Sequence, residues 1–250
     1  MTIAAVVLTR DEVDQIAECL AGLTWCDELV VVDDGSADET VKLAEKNGTI
    51  VFEHELAGNF AVQRNFALSK VVSDWVLFVD ADERVSEALQ NEIMKAVKVG
   101  KYDGFRLRRN DVFIGKTLLY GDTGRWKEVR LGRRDAGVWT GAVHEVWNIE
   151  NVLLLHEPLV HMAHQTLAGF IDDLNHYSSM RATELYQEGN GASAWSILWR
   201  TKAKFFDLYV VKAGWRDGVH GYVHALLMSF YTFLVRSKLY LLQKGIISLK

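Results

Sequence analysis

The sequence contains little cysteine and little proline, and each shortage excludes a class of protein. Cys19 and Cys26 are the only cysteines among 250 residues. Two cysteines so close together are too few for a disulfide framework or a zinc site, so we expect a reducing cytosol. A single proline and a mean hydropathy of +0.01 argue against a disordered or fibrous chain.

The chain also lacks an excess of positive charge. Its net charge is −5, so no overall basic field attracts nucleic acid, and no nucleic-acid partner is expected. The first residues, MTIAAVVLTRDE, show neither the basic stretch nor the cleavage site of a secretory signal and are typical of a first core strand. The length allows one large domain, or one domain with an appendage.

Strand and helix patterns alternate over the first hundred residues. The β-branched runs at 3–9 and 28–34, followed by TIVFEHE and WVLFVD, are typical of strands in a parallel sheet. Helical spacing follows each strand, first over 12–22 and next after a capping box formed by Ser36 and Glu39. The short connections predict an α/β fold, with a mostly parallel sheet flanked by helices.

The remainder of the chain has a different character. Residues 103–165 are rich in Arg, Trp and Gly and have strand patterns that are less regular. Long helical patterns follow at 170–188, 194–213 and 217–245. We therefore predict one domain over 1–165 and a helical extension over 166–250.

Polar clusters follow three of the predicted strands. They are Thr9-Arg10-Asp11-Glu12, Asp33-Asp34-Gly35-Ser36 and Asp80-Ala81-Asp82-Glu83. Ligands of open α/β sheets bind beyond the carboxyl ends of the strands, so we expect the three clusters to converge on one edge.

Two of these clusters suggest specific chemistry. Asp80 and Asp82 can face one side of a bend and share Mg²⁺ or Mn²⁺ that carries a diphosphate. The alternative is a solvated turn whose acids cap the next helix. Asp33 and Asp34 are not preceded by G-x-G-x-x-G, so the dinucleotide fingerprint is absent. These two acids either contact a ribose or base, or cap a helix.

Four motifs in this order resemble those of family 2 glycosyltransferases of the GT-A fold. They are VVLTRDE, VVVDDGSADET, QRNFAL and WVLFVDADE, and the resemblance covers residues 1–150. The later segments HEVW, LLLHEPLVHMAH and KAGWRDGVHGY are similar to the bacterial branch that includes lipopolysaccharide core β-1,4-glucosyltransferases. The resemblance implies a GT-A type, Rossmann-like catalytic domain and inverting transfer from a nucleoside-diphosphate sugar, with UDP as the expected nucleotide. The implied acceptor is a saccharide or lipid-linked glycan at the inner face of the bacterial cytoplasmic membrane.

The resemblance also implies roles for individual residues. Nucleotide contacts are expected from Thr9, Arg10, Glu12, Asp33, Asp34, Arg64, Asn65, Asp80 and Ala81. Metal ligands are expected to be Asp80, Asp82 and His161, the alternative for His161 being an ordinary polar histidine at the edge.

The segment TGAVHEVW lies where many members of the family carry a catalytic acid. Glu145 is expected to be the base that removes the proton of the acceptor hydroxyl. The alternative is an ion pair between Glu145 and one of four arginines, namely Arg125, Arg130, Arg133 and Arg134. His144 is expected to orient that acid or to contact the acceptor.

The last helical pattern contains a 17-residue apolar stretch, 219–235, which is short for a membrane span. Trp195, Trp199 and Trp215, with lysines nearby, predict either an element at the surface of an anionic membrane or a face packed in the protein or in a homodimer.

Two further functions are weighed against sugar transfer. One is a phosphohydrolase of the haloacid dehalogenase type, which is disfavoured because its D-x-D normally follows the first strand. The other is a non-catalytic module that binds nucleotide sugars or a membrane surface, which is disfavoured because the acids at the edge are intact.

Overall fold

The computed structural model describes residues 1–123, 126–141, 145–162 and 166–248, and the backbone of 163 and 164. The chain divides into two compact units. Unit 1 comprises Met1–Asn110 and Arg125–Met162, and unit 2 comprises Asp111–Gly124 and Ala163–Lys250. Unit 2 thus includes a segment, Asp111–Gly124, that we predicted to belong to the domain over 1–165.

The secondary structure follows the predicted order through the first hundred residues. The strands are β1 (Ile3–Thr9), β2 (Glu28–Asp33), β3 (Ile50–Glu53), β4 (Trp75–Asp80), β5 (Glu83–Arg84), β6 (Gly104–Phe113), β7 (Lys116–Thr117), β8 (Lys127–Arg133), β9 (Trp139–Thr140), β10 (Val146–Trp147), β11 (Val152–Leu154) and β12 (Leu159–His164). The helices are α1 (Ile16–Ala21), α2 (Thr40–Lys46), α3 (Phe60–Lys70), α4 (Glu87–Val99), α5 (Leu167–Gln187), α6 (Ala194–Phe206) and α7 (Val219–Gln243).

One mixed sheet forms the centre of unit 1. Its strand order is β3-β2-β1-β4-β8-β6-β12-β5, with β11 beside β6. The first four strands are parallel, and β8 joins β4 in the antiparallel direction. All seven residues of β1 are buried, as expected for a strand covered on both faces. The predicted α/β fold is therefore confirmed, and its parallel strands come from the first hundred residues.

The strand register brings the carboxyl ends of β1, β2 and β4 to one edge of the sheet. Thr9 of β1 is the register partner of Asp33 in β2. Leu8 of β1 is the register partner of Asp80 in β4. This confirms that the polar clusters that follow these strands converge, although they are distant in sequence.

One helix start was predicted from a capping box, and that prediction is wrong. Ser86 is the capping residue of α4, because its hydroxyl accepts the backbone N–H three residues later at 3.2 Å. The capping box of Ser36 and Glu39 does not form, since α2 begins only at Thr40. The Ser36 hydroxyl instead donates to the carboxylate of Asp33.

Unit 2 consists mainly of α5, α6 and α7, with both α5 and α6 packed along α7. The helix predicted over 194–213 ends at Phe206 and continues as a π-helical turn over Asp207–Val211. Helix α7 has 25 residues and lies within the helical pattern predicted over 217–245. Within the described residues it is the one helix long and apolar enough to cross a membrane by length and composition, and 22% of its most apolar window is buried.

Candidate active site

Asp80, the last residue of β4, lies in an ion-pair network. Arg130 of β8 donates to both of its carboxylate oxygens, at 3.1 and 2.9 Å. Arg64 of α3 donates to Oδ1 at 3.3 Å. Burial by itself would raise the pKa of Asp80, but Arg130 and Arg64 outweigh it and hold that pKa well below its ordinary value.

Arg64 connects Asp80 to Glu145. Its Nε atom donates to Oε1 of Glu145 at 2.9 Å, and 4% of the Arg64 side chain is exposed. The guanidinium carbon lies 4.8 Å from the ring centre of Trp139 and 5.4 Å from that of Phe78. The ion pair considered as an alternative role for Glu145 therefore exists, but with an arginine that this alternative did not include. Arg64 itself is a buried bridge between two carboxylates.

Asp82, two residues after Asp80, contacts His161. Nε2 of His161 lies 3.0 Å from Oδ2 of Asp82, and the two side chains are 14% and 28% exposed respectively. The strand pairing explains this approach, because His161 of β12 is the register partner of Glu83 in β5. Glu12 is part of the same electrostatic environment. Burial raises the pKa of Glu12 to about 7, with a further contribution from the charge of Asp82.

These side chains fit a divalent cation in part. Asp82 and His161 offer an oxygen and an imidazole nitrogen at one point, and the charge of Asp82 adds to the burial that raises the pKa of Glu12. Among the described residues, no group of three or more His, Cys, Asp or Glu side chains could hold a metal ion. Mg²⁺ and Mn²⁺ sites are commonly completed by substrate phosphates and water, so two protein ligands are sufficient.

Asp80 and Asp82 have different partners in the folded protein. Oδ1 of Asp80 accepts hydrogen bonds from Arg130 and Arg64, and Oδ2 accepts one from Arg130, whereas Asp82 pairs with His161. The roles of Asp80, Asp82 and His161 as metal ligands stay predictions.

The predicted nucleotide contacts at β1 and β2 lie side by side. Both carboxylate oxygens of Asp33 accept hydrogen bonds from Ser36, one from its backbone N–H at 2.8 Å and one from its hydroxyl. Asp34 accepts from Nη1 of Arg10 at 2.9 Å. The hydroxyl of Thr9 is buried and has no hydrogen-bond partner within the described part of the chain. A buried hydroxyl without a partner is costly, so a ligand at this edge would satisfy it.

Two other predicted nucleotide contacts have structural roles. Asn65 donates to the backbone carbonyl of Trp139 and accepts from the N–H of the same residue, each at 2.9 Å, and so holds β9 against α3. Ala81 is buried, and its carbonyl accepts from Nη1 of Arg84 at 3.0 Å. Contacts of these two residues with a nucleotide stay predictions.

A short hairpin of β9 and β10 carries Glu145. Trp139 and Trp147 are register partners in this hairpin. Their rings stack at 5.3 Å, and both pack edge-on against Phe78 of β4. The core thus fixes both ends of the segment next to Glu145. His144, the other predicted catalytic residue, lies outside the described residues.

The match to known proteins covers most of unit 1. The family model described as "Glycosyl transferase family 2" matches residues 4–148. The chain belongs to glycosyl transferase family 2. This confirms the resemblance found in the four ordered motifs and the GT-A type of the fold.

Relatives of this family 2 glycosyltransferase match nearly its whole length. The lipopolysaccharide core biosynthesis glycosyltransferase LpsC of Rhizobium meliloti (strain 1021) is 28% identical over 96% of this chain and 92% of its own. An uncharacterised glycosyltransferase of Rickettsia conorii is 27% identical over 95% of this chain and 89% of its own. The crystal structure of S. aureus TarS 1–349 has a TM-score of 0.51 at 14% identity and covers 98% of this chain and 92% of that chain. The complex of that protein with UDP-GlcNAc has a TM-score of 0.50 at 14% identity, with the same coverage. At this identity the structural likeness shows the fold.

Two charged residues beside Asp80, Arg130 and Glu83, were named in the sequence analysis without the roles that the structure gives them. Arg130 was considered only as a partner of Glu145, whereas it binds Asp80. Glu83 is fully buried, and its Oε2 accepts the backbone N–H of Asp80 at 3.0 Å. Burial raises the pKa of Glu83, against the effect of Arg130. The position of Arg130 between the apolar residues Val129 and Leu131 of β8 was a usable signal, but its partner depends on β8 lying next to β4.

Proposed function

We propose that the chain is an inverting, metal-dependent hexosyltransferase that uses a nucleoside-diphosphate sugar. A saccharide or lipid-linked glycan of the cell envelope is the proposed acceptor, and the cytoplasmic face of the membrane is the proposed location. The name of LpsC supports an acceptor of the lipopolysaccharide core. The UDP-GlcNAc complex of TarS supports a UDP-sugar donor.

The observation that supports this proposal best is the contact between Oδ2 of Asp82 and Nε2 of His161. These atoms are 3.0 Å apart at the edge where β1, β2 and β4 end. In this assignment Asp82 and His161 would hold Mg²⁺ or Mn²⁺, and the donor diphosphate would complete the ligands of the cation. When bound, the cation would neutralise charge that develops on the leaving nucleoside diphosphate. Thr9, Asp33 and Asp34 lie at the same edge. Thr9 and Asp34 are assigned to the nucleoside, and Asp33, whose two oxygens accept from Ser36, holds the turn that follows β2.

Glu145 is assigned as the general base. Its Oε1 is held by Arg64, while no described residue donates a hydrogen bond to Oε2. Oε2 takes the proton of the acceptor hydroxyl as the acceptor oxygen bonds to the anomeric carbon. The bond between that carbon and the diphosphate oxygen breaks on the opposite face, and the nucleoside diphosphate leaves. Arg64 acts as a positioning residue, because it ties Glu145 to Asp80.

Two variants test these assignments, and the measurements are donor turnover and UDP binding. With a UDP-sugar panel and Mn²⁺, Asp82→Asn should lower both turnover and Mn²⁺-dependent UDP binding, measured by calorimetry. Glu145→Gln should lower turnover about 100-fold or more with UDP binding unchanged, as expected for loss of a general base. Asp103→Asn, which removes a surface partner of Arg133, is the matched control and should leave both unchanged.

Two results would contradict the proposal. UDP binding without sugar release from any donor of the panel would indicate a non-catalytic binding module. Full turnover of Asp82→Asn in Mn²⁺ would remove the metal assignment.

A further inference from the structure

Helix α6 presents an apolar stripe to solvent. None of its residues is buried. Trp195 and Trp199 are 72% and 61% exposed, and Leu198 and Phe206 are 49% and 58% exposed. These positions recur at intervals of three, four or seven residues and so lie on one helical face. A helix of a soluble protein normally turns such a face inward, and this one does not.

Helix α7 carries a second stripe of the same kind. Its exposed apolar side chains are Val219, Tyr222, Leu226, Phe230 and Phe233, between 40% and 75% exposed. They also recur every three or four residues. A groove of about 740 Å³ is lined by residues of both stripes, including Trp199, Phe206 and Leu226. The two stripes therefore form one continuous surface, called here the α6/α7 face. Exposed apolar surfaces of this kind mark interaction sites.

The charge of this part of the chain is opposite to that of the whole. Residues 190–250 contain nine Lys or Arg and two Asp, a net charge of +7, whereas the whole chain has −5. Lys202 is exposed between Trp199 and Phe206, and Arg200 is exposed beside them. Burial lowers the pKa of Arg236, and the Arg200 and Arg181 guanidiniums lower it further, which places like charges close together.

We propose that the α6/α7 face binds the surface of a membrane that contains anionic lipid. Tryptophan is the residue most typical of the boundary between headgroups and acyl chains, and lysine and arginine bind anionic headgroups. A second copy of the chain is a poorer occupant, since a symmetric contact would place two faces that both carry Arg200 and Lys202 against each other. Membrane binding by this face rests on the proposed location of the enzyme and extends it. Vesicle binding needs neither donor nor acceptor, so membrane binding and the proposed sugar transfer can fail independently.

Sedimentation of the full chain with vesicles tests the proposal. We expect binding to vesicles of phosphatidylethanolamine with phosphatidylglycerol, weaker binding to phosphatidylcholine alone, and weakening by salt. The double variant Trp195→Ser, Trp199→Ser should bind at least about tenfold more weakly, because two exposed indoles are lost from the boundary. The double variant Arg200→Glu, Lys202→Glu should bind at least about twentyfold more weakly, since each cation at an anionic surface contributes about fivefold.

Matched controls lie outside the α6/α7 face. Tyr177→Ser removes an aromatic side chain of α5 that is 57% exposed, and Lys95→Glu, Lys98→Glu reverses two exposed charges on α4. Both controls should bind vesicles like the unchanged protein, and circular dichroism should show that every variant is folded.

Three results would overturn the proposal. The first is the absence of binding to anionic vesicles, and the second is equal binding of the face variants and their controls. The third is a dimer in solution that is lost in the tryptophan double variant, together with the absence of vesicle binding. The last result would assign the face to a second copy of the chain.

Discussion

Replacing Arg130 with Met removes the cation that holds Asp80. The Arg130 guanidinium is 4% exposed and donates to both oxygens of Asp80, while Arg64 donates to one. Loss of one partner of a buried ion pair typically costs about 3–5 kcal/mol, because the other charge stays buried. Since Arg64 remains, we expect Arg130→Met to lower the free energy of unfolding by about 3 kcal/mol, the lower end of that range.

Urea unfolding at neutral pH measures this loss, with a variant of the same strand as the control. Arg133→Met removes the partner of Asp103, but this arginine is 37% exposed and the pair lies at the surface. Surface pairs contribute about 0–1 kcal/mol, so the control should lose less than about 1 kcal/mol. Equal losses for the two variants would refute the reasoning.

The same variant has a defined pH dependence. The pKa of Asp80 is lowered in the folded protein, so its contribution to stability is complete above the ordinary value of 3.8 and is lost as the pH falls below it. Arg130→Met lacks most of this contribution. The difference in stability between the unchanged protein and the variant should therefore shrink on acidification below pH 4, and a constant difference would contradict the assignment.

Three other changes have predictable outcomes. In Gly221→Ala, the new Cβ would lie 1.9 Å from the carbonyl oxygen of Gly214, so thermal unfolding should show a loss of about 3 kcal/mol, and an unchanged midpoint would refute this. Asn65→Ala should cost about 2 kcal/mol in urea, because two hydrogen bonds to the backbone of Trp139 are lost; a cost near zero would mean that they do not hold β9. Burial would raise the pKa of Asp122, but two lysines lower it below 3.8, so Asp122→Asn should be less stable than the unchanged protein at pH 7, and this difference should shrink as the pH falls below 3.8. Thermal unfolding at several pH values checks this last expectation, which a gap independent of pH would contradict.

The sequence predicted the parallel part of the sheet well, because its strands are continuous apolar runs. Strands buried on both faces need such runs, and β1 and β4 have them. The edge at which Asp33 and Asp80 converge followed from strand direction alone. Neither prediction depended on knowing which distant side chains would meet.

Local signals failed where a second partner competed for the same group. Ser36 followed by Glu39 is a valid capping box, but the carboxylate of Asp33 takes the Ser36 hydroxyl and Thr40 becomes the first helical residue. A hydrogen-bonding side chain has several partners available, and only the folded geometry selects one.

The sequence could not predict which charged residues pair across the site, because the pairing depends on how the elements pack. Glu145 pairs with Arg64, which is 81 residues away, and Asp80 pairs with Arg130, which is 50 residues away. The first pairing requires that the β9–β10 hairpin lie against α3, and the second requires that β8 lie beside β4. Such packing cannot be read from hydrophobic periodicity, which reports only the type of each element.

The stacked indoles of Trp139 and Trp147 have a consequence for how two distant carboxylates keep their positions. Both rings rest on Phe78, which belongs to the same strand as Asp80. Asp80 and the hairpin that carries Glu145 are therefore anchored on one strand. A truncation of Phe78 would loosen the support of both carboxylates although neither side chain is changed.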